Sequence, residues 1–155
     1  CVPWWRHYRA AVGLMGIILR AMRLTDYDAV TALWAATPGM GMSEQDDSRE
    51  GIARFLAHNP DLNFVALDGS TIIGVLLCGF DGRRATLYHM AVAQSHQRQG
   101  VGQALLARLE RELRAKNVTM ARLLVFANNA VGNQFWQKCG WYHWRELNYY
   151  VKDLR

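Results

Sequence analysis

The stretch Gln97-Arg98-Gln99-Gly100-Val101-Gly102 carries the strongest signal in this sequence. It follows an apolar segment that ends at Val92, and it precedes a segment whose apolar residues recur at four-residue spacing, as on the buried face of a helix. The first turn of a helix has unpaired N–H groups and a partial positive charge, and glycines there let an anion approach the backbone closely. We therefore predict a phosphate-binding loop between a strand and a helix, with Arg98 adding positive charge at its rim.

On both sides of this loop, the chain is predicted to form a series of strands and helices. Runs of β-branched and apolar residues predict strands at 17–20, 63–67, 71–80, 85–92, 122–126, 142–144 and 147–152. Helical patterns occupy 25–36, 101–116 and 129–138, and a further helix after Ser48 carries the apolar stripe Ile52, Phe55 and Leu56. The order is β-α-α-β-β-β-α-β-α-β-β, and the turn signals Asp68-Gly69 and Asp81-Gly82 make the middle strands antiparallel.

Two of these helices begin at residues that commonly cap helices. Thr25 or Asp26 is expected to cap the first helix, and Asp46, Asp47 or Ser48 the second. Short polar side chains at these positions would accept hydrogen bonds from the unpaired N–H groups of the first turn.

Composition sets further limits. The chain has 155 residues, 51% of them hydrophobic, which predicts one compact domain. The net charge of +5 suits an anionic small ligand or a nucleic acid, but no run of five Lys and Arg residues is present, so we expect no nucleic-acid partner. Cys1, Cys78 and Cys139 form neither a disulfide framework nor a zinc motif, so we expect a reducing, cytoplasmic setting and no metal.

The N-terminal residues stand apart from the rest. Residues 1–14 contain no acidic residue and precede Met15, after which a strand pattern begins. We expect the natural domain to span 15–155 and residues 1–14 to be an extension of upstream or cloning origin. The apolar run at 10–19 is too short to cross a bilayer and is not followed by a small-residue cleavage site, so no membrane association is expected.

Two blocks of sequence resemble the GCN5-related N-acetyltransferase (GNAT) superfamily. The first is the glycine loop at 97–102, which resembles the family signature Gln/Arg-x-x-Gly-x-Gly/Ala. The second runs from Leu124 through Asn129 and Phe135 to Gly140-Trp141 and resembles the family's strand–Asn–helix–Gly–aromatic segment. The resemblance covers about 17–152. Within the family, the sequence looks like a bacterial group of uncharacterised acetyltransferases. It implies an α/β (α+β) fold, with a mixed, mostly antiparallel, splayed sheet of six or seven strands flanked by about four helices.

The resemblance also implies that acetyl-CoA is the acyl donor. Backbone amides of the glycine loop would bind its pyrophosphate, and the strand around Met90–Val92 would pair with its pantetheine arm. Asn129 would contact the arm as well, with helix capping as the alternative. The expected cofactor contacts are Met90, Ala91, Val92, Gln97, Arg98, Gln99, Gly100, Val101, Gly102, Gln103, Asn129 and Phe135.

The residues that move protons are less clearly marked. In many relatives a Tyr in the second block protonates the leaving thiolate, but the matching residue here is Trp136, whose indole N–H does not release a proton usefully. Positions that hold carboxylate bases in other relatives match Leu124 and Thr86. The catalytic candidates are therefore His89 and Tyr88 on the central strand, which share one face only if a bulge interrupts the alternation. Packing against a helix is the alternative for both.

The acceptor is predicted only by class. Asp81, Asp46 and Asp47 are candidates for binding a cationic amine, with turn formation as the alternative for the first and helix capping for the other two. The predicted function is acetyl transfer, by direct attack, to the primary amine of a small molecule or peptide. A non-catalytic acyl-CoA-binding or regulatory module is the alternative that the missing Tyr favours. The oligomeric state is left open, with a homodimer among the alternatives.

Overall fold

The computed structural model describes residues 16–155, so the predicted extension at 1–14 lies outside the described residues. Within them lie one five-stranded sheet and four α-helices. The strands are β1 (Ile17–Ala21), β2 (Phe64–Asp68), β3 (Thr71–Phe80), β4 (Ala85–Val92) and β5 (Ala121–Leu123). The helices are α1 (Tyr27–Ala35), α2 (Arg49–His58), α3 (Val101–Ala115) and α4 (Ala130–Lys138). The α+β class and the four helices are confirmed.

The described residues divide into two compact units. The first ends at Leu124 and holds the whole sheet with α1, α2 and α3, whereas the second, Val125–Arg155, holds α4. In the first unit, β1 to β4 are antiparallel neighbours in chain order, and β5 joins the edge of β4 in parallel. The sheet is therefore mixed and mostly antiparallel. None of the helices within residues 16–155 has the length and apolar character needed to cross a membrane.

Helices cover both faces of the sheet in the first unit. On one face, apolar residues of α1 and α2 pack against the sheet in a cluster that contains Met22, Val30, Leu33, Trp34, Ile52, Val65, Val75, Leu77 and Ala91. On the other face, a Cβ placed on Gly74 would lie 3.2 Å from side-chain atoms of both Val101 and Leu105. The missing side chain of Gly74 thus lets α3 lie close to β3, and this packing places the start of α3 beside the sheet.

The helix caps differ in part from those predicted. Ser48 caps α2, since its Oγ accepts a hydrogen bond from the Gly51 N–H at 3.0 Å. Asp26 lies directly before α1 but does not cap it. Its carboxylate instead accepts a hydrogen bond from the Arg23 N–H, which precedes the helix, at 2.8 Å. It also accepts two charge-assisted hydrogen bonds from the Arg20 guanidinium, both at 2.8 Å. This contact ties β1 to the start of α1.

The sheet has fewer strands than the predicted six or seven. The predicted strand at 122–126 is shorter, since β5 ends at Leu123, and the segments 142–144 and 147–152 form no strand. A strand needs a neighbour for its backbone hydrogen bonds, and neither segment pairs with a strand within residues 16–155. Their aromatic and β-branched residues explain the prediction, yet Tyr149, Tyr150 and Val151 are strongly exposed.

Two buried asparagines continue the sheet where β2 has ended. β2 begins at Phe64, opposite Leu76, so the part of β3 beyond that pair has no β2 neighbour. There the Asn63 side chain accepts a hydrogen bond from the Cys78 N–H, and the Asn59 side chain accepts one from the Phe80 N–H, both at 2.9 Å. The Asn63 amide also donates to the Asn59 carbonyl at 2.8 Å. These side chains hold the end of β3 in place.

Replacing Asn63 with alanine is therefore expected to destabilise the fold by about 2 kcal/mol, since it leaves a buried backbone N–H without a partner. Asn63 is only 1% exposed, so water does not replace the lost hydrogen bonds. Urea unfolding followed by circular dichroism would measure the loss. The exposed Asn128 provides the control, because alanine there should change stability by no more than about 0.5 kcal/mol. Equal stability of the two variants would contradict this account of Asn63.

Candidate active site

The glycine loop has the geometry of an open helix start. Gly100 is the N-cap of α3 and has a φ of +86°, in the left-handed region that favours glycine. The first hydrogen bond of the helix runs from the Ala104 N–H to the Gly100 carbonyl at 3.0 Å. The N–H groups that precede Ala104 therefore have no partner within the helix. Arg98 is exposed and also has a positive φ of 61°. The loop therefore presents backbone donors and one cation at the same end of α3.

The side chains of the loop have different roles. Val101 and Gly102 are buried, and the Val101 side chain packs towards Gly74 in the core, so only their backbone is available to a ligand. Gln97 and Gln103 are exposed, as is Gln99. The Gln97 amide donates a hydrogen bond to the Val92 carbonyl at 3.0 Å. This contact attaches the loop to the end of β4.

Next to this loop, the outer edge of β4 has no strand neighbour among residues 16–124. β5 pairs with β4 only from Ala85 to Leu87, although β4 continues to Val92. The Ala93 N–H donates to the Ile73 carbonyl of β3 at 2.8 Å, and successive peptide groups of a strand point to alternate sides. The backbone groups of Met90 and Val92 therefore point away from β3, to the side where β5 has already ended. This open edge suits a ligand that carries its own amide groups.

A bulge interrupts β4 just before the open edge. The strand pairs Leu76 with Met90 and Cys78 with Leu87, so Tyr88 and His89 together lie opposite Leu77 alone. Both side chains consequently face the layer of α1 and α2. Tyr88 packs edge-on against Phe55 at a ring distance of 5.4 Å, and His89 packs against Trp34 at 4.8 Å. The condition set by the sequence, that a bulge must intervene for these two residues to share a face, is met.

His89 is paired with Asp47. Its Nε2 lies 2.8 Å from Asp47 Oδ1, and the two side chains are only 12% and 9% exposed. The other carboxylate oxygen accepts a hydrogen bond from the Ser43 N–H at 2.7 Å, and the Tyr27 hydroxyl donates to the Asp47 carbonyl at 2.7 Å. Burial by itself raises the pKa of Asp47, but the hydrogen bonds from His89 and Ser43 outweigh it, and the net shift is downwards. Asp47 is thus an anion that holds the imidazole in a fixed orientation.

Asp46 and Asp47, for which the same two roles were predicted, have different contacts in the structure. Helix capping, one interpretation of both, is wrong, because Ser48 performs it. Asp47 contacts His89, a pairing between residues 42 positions apart that the sequence analysis missed. Asp46 is exposed, and its backbone N–H donates to Ser43 Oγ at 3.2 Å. Binding of an amine by Asp46 or Asp47 stays a prediction.

A small cavity of about 190 Å³ adjoins the bulge within the first unit. Its walls include Phe55, Phe80, Asp81, Arg84, Thr86, Tyr88 and Arg122. Asp81 forms the predicted turn, since its Oδ1 accepts hydrogen bonds from the N–H groups of Arg84 and Arg83 at 2.8 and 2.7 Å, and these hydrogen bonds lower its pKa. It nonetheless also lines the cavity, so the two predicted roles of Asp81 do not exclude each other. Arg122 was not anticipated, because only the pairing of β5 with β4 brings it here.

The second unit contains the remaining predicted residues. Asn129 caps α4, with its Oδ1 accepting a hydrogen bond from the Gly132 N–H at 2.9 Å, so the capping interpretation is confirmed. Phe135 packs edge-on against Trp136 at 5.2 Å, and Trp136 packs against Trp141 at 5.3 Å. Contacts of Asn129 and Phe135 with a cofactor stay predictions. Within residues 16–155, His, Cys, Asp and Glu side chains form no group of three that could hold a metal ion.

The chain is similar in sequence to known acetyltransferases. Residues 27–141 match a family model described as the Acetyltransferase (GNAT) family. An acetyltransferase of Pectobacterium atrosepticum is 32% identical over 111 residues, which cover 72% of this chain and 77% of that protein. The chain therefore belongs to the GNAT acetyltransferase family, as its two sequence blocks predicted.

Solved structures agree with this assignment. The ribosomal-protein-S18-alanine N-acetyltransferase from Escherichia coli has a TM-score of 0.67 at 25% identity, with 80% of this chain and 76% of that chain covered. The paia N-acetyltransferase from Thermoplasma acidophilum, solved in complex with coenzyme A, has a TM-score of 0.70 at 22% identity, with 79% and 87% covered. The second likeness concerns the fold alone.

Proposed function

We propose that this chain transfers the acetyl group of acetyl-CoA to a primary amine of a small molecule or peptide by direct attack. The observation that carries the proposal is the continuity of the site along one segment. The bulge at Tyr88 and His89 leads directly into the open edge at Met90–Val92 and then into the glycine loop that starts α3. A strand rises about 3.3 Å per residue, so the proton-transfer groups and the donor-binding edge lie within several ångströms of each other.

The residues present fit acetyl-CoA. The unpaired N–H groups from Gln99 to Gln103, with the side chain of Arg98, would hold the pyrophosphate, because a helix N-terminus favours an anion. The outward backbone groups of Met90 and the N–H of Val92 would pair with the amides of the pantetheine arm, since the Val92 carbonyl already accepts from Gln97. The small buried side chain of Ala91 faces the core. Acetyl-CoA supplies the thioester carbonyl that the amine attacks. The coenzyme A bound to the Thermoplasma acidophilum protein supports this choice of donor.

His89 is the proposed general base. An amine is mostly protonated at neutral pH, since its pKa is about 10, and it must lose a proton to become a nucleophile. With Nε2–H donating to the Asp47 carboxylate, the His89 Nδ1 is left with a lone pair that accepts this proton, directly or through water. Asp47 is a positioning residue, because it acts through the imidazole. Tyr88, on the same face, is the proposed proton donor to the leaving thiolate. It would take the role of the Tyr that many relatives have at the position of Trp136.

Direct transfer is favoured over a covalent acetyl-enzyme formed on Cys78. A thiol nucleophile must ionise readily, but burial raises the pKa of Cys78 to about 12. Cys78 also lies within β3 with no exposure to solvent. It is therefore a small core residue, and in this scheme the amine itself attacks the thioester.

The proposal is tested by two measurements on the wild-type protein. Isothermal titration calorimetry should show binding of acetyl-CoA, and a thiol-release assay across a panel of primary amines should show coenzyme A formed in step with an acetylated product identified by mass spectrometry. Thiol release without an acetylated amine would indicate hydrolysis and contradict the proposed transfer. Absence of acetyl-CoA binding would contradict the assignment of the loop itself.

A further inference from the structure

The cavity beside the bulge is placed to hold the acceptor. Thr86 and Tyr88 of β4 form one wall, and His89 follows Tyr88 directly in the bulge. The open edge for the donor begins one residue later, at Met90. Along β4 the cavity residues therefore come before the proposed base and the donor-binding edge comes after it, so an amine held in the cavity would lie next to the base.

Two guanidinium groups at this cavity form no close ion pair, although the charge of Arg122 contributes to the lowered pKa of Asp81. Arg122 Nε donates to Thr86 Oγ1 at 3.1 Å, and Arg84 Nη1 contacts Thr119 Oγ1 at 3.5 Å. Neither arginine forms an ion pair with an acidic residue within residues 16–155. Asp81, the acidic residue among the walls, directs one carboxylate oxygen to two backbone N–H groups of its own turn. The lining therefore carries two cations against one anion.

We infer that this cavity recognises an anionic group, a carboxylate or a phosphate, carried by the acceptor amine and held by Arg84 and Arg122. Guanidinium groups bind planar carboxylates and phosphates through paired hydrogen bonds, which fix orientation as well as charge. Phe55 and Phe80 supply apolar walls for the carbon chain between the anion and the amine. The inference rests on the proposed function, and it narrows the acceptor from any primary amine to one that also carries an anion.

The size of the cavity sets a second limit. Sites for drug-sized ligands usually enclose about 300–1,000 Å³. The volume here, about 190 Å³, suits an acceptor group of the size of an amino acid. Larger acceptors would have to leave most of their mass outside.

Matched pairs of amines test the inference. Lysine and cadaverine differ only in the carboxylate, and O-phosphoethanolamine and ethanolamine differ only in the phosphate. We expect kcat/KM for the anionic member of at least one pair to exceed that of its neutral counterpart about tenfold or more, and the preferred pair identifies the anion. Replacing Arg122 or Arg84 with glutamine should raise KM for that anionic amine about 10- to 100-fold, the effect of losing a hydrogen bond between charged groups. The value of kcat should change little.

The control is the neighbouring residue Arg83, which is exposed and is not part of the cavity wall. Arg83→Gln removes the same charge from the same turn and should leave KM unchanged. Equal losses for both members of a pair, or an equal loss in the Arg83 variant, would overturn the inference. So would binding of acetyl-CoA without turnover of either anionic amine, or with a preference for cadaverine or ethanolamine. Failure of acetyl-CoA itself to bind in calorimetry would overturn the proposed function and this inference together.

Discussion

Replacing Gly100 with valine is expected to weaken acetyl-CoA binding at least about tenfold. Gly100 has a φ of +86°, which costs a residue with a side chain about 1–2 kcal/mol and a β-branched one more. Space is not the obstacle, because a Cβ here would lie 3.5 Å from its nearest neighbour, the Gln103 side-chain oxygen. The valine variant relieves its strain by rotating the peptide groups that start α3. Their N–H groups then turn away from the pyrophosphate.

The size of the expected effect follows from the hydrogen bonds lost. Each hydrogen bond to a charged group contributes about 1.5–3 kcal/mol, so the loss of one or two corresponds to a loss of about 10- to 10⁴-fold in affinity. Calorimetric titration with acetyl-CoA would measure the change directly. Thermal unfolding of the variant would show how much of the change reflects the fold.

The matched control for this prediction is Gly82, in the turn between β3 and β4. Its φ of +91° is almost the same, and a Cβ there would also meet no close neighbour. Gly82→Val should cost similar stability and leave acetyl-CoA affinity unchanged. An unaltered dissociation constant for the Gly100 variant, or an equal loss in both variants, would show that the loop does not form the pyrophosphate site.

The glycine loop was predictable because its information is local. The strand pattern ending at Val92, the glycines and the apolar spacing of α3 all lie within a short segment, and each follows from backbone sterics or helix periodicity. The turn at Asp81 was predictable for the same reason, since its side chain bonds to backbone groups only two and three residues away.

The groups around the reaction were predictable only in part, because they depend on strand register. The bulge that brings Tyr88 and His89 to one face exists only relative to β3, and alternation along β4 alone would place them on opposite faces. Asp47 reaches His89 from a loop 42 residues earlier. Arg122 reaches the cavity through the parallel pairing of β5, which no local pattern encodes.

The predicted last hairpin shows the opposite error, because local patterns here predicted strands that do not form. The aromatic residues and Val151 within 142–144 and 147–152 favour strands intrinsically, but strand formation depends on a neighbour with free backbone groups. Conversely, Asn59 and Asn63 gave no local sign of their role, because it arises only where β2 stops short of the end of β3. Local propensity therefore indicated the elements, and the pairing of strands determined where the side chains of the site lie.

Replacing His89 with glutamine or alanine is expected to lower kcat by about 10²- to 10⁴-fold, the usual contribution of a general base. Acetyl-CoA affinity should be retained, because the donor is held by the loop and by the backbone of β4. Glutamine keeps most of the volume beside Trp34, which separates lost chemistry from lost packing. His58 is exposed at the end of α2, so His58→Ala is the matched control and should leave the rate unchanged. A wild-type rate in both His89 variants would remove His89 from the mechanism.

Asp47 gives a sharper test, because it is proposed to act only through His89. Asp47→Ala should lower kcat, with no change in acetyl-CoA affinity. In a double-mutant cycle, Asp47→Ala should have no further effect on kcat once His89 is already alanine, since the group that it positions is gone. Additive losses in the double variant would indicate an independent role for Asp47, such as binding the acceptor amine. Asp47→Glu, which restores the carboxylate, should recover part of the rate, whereas Asp47→Asn should not, because the buried imidazole needs a charged partner as protons pass through it.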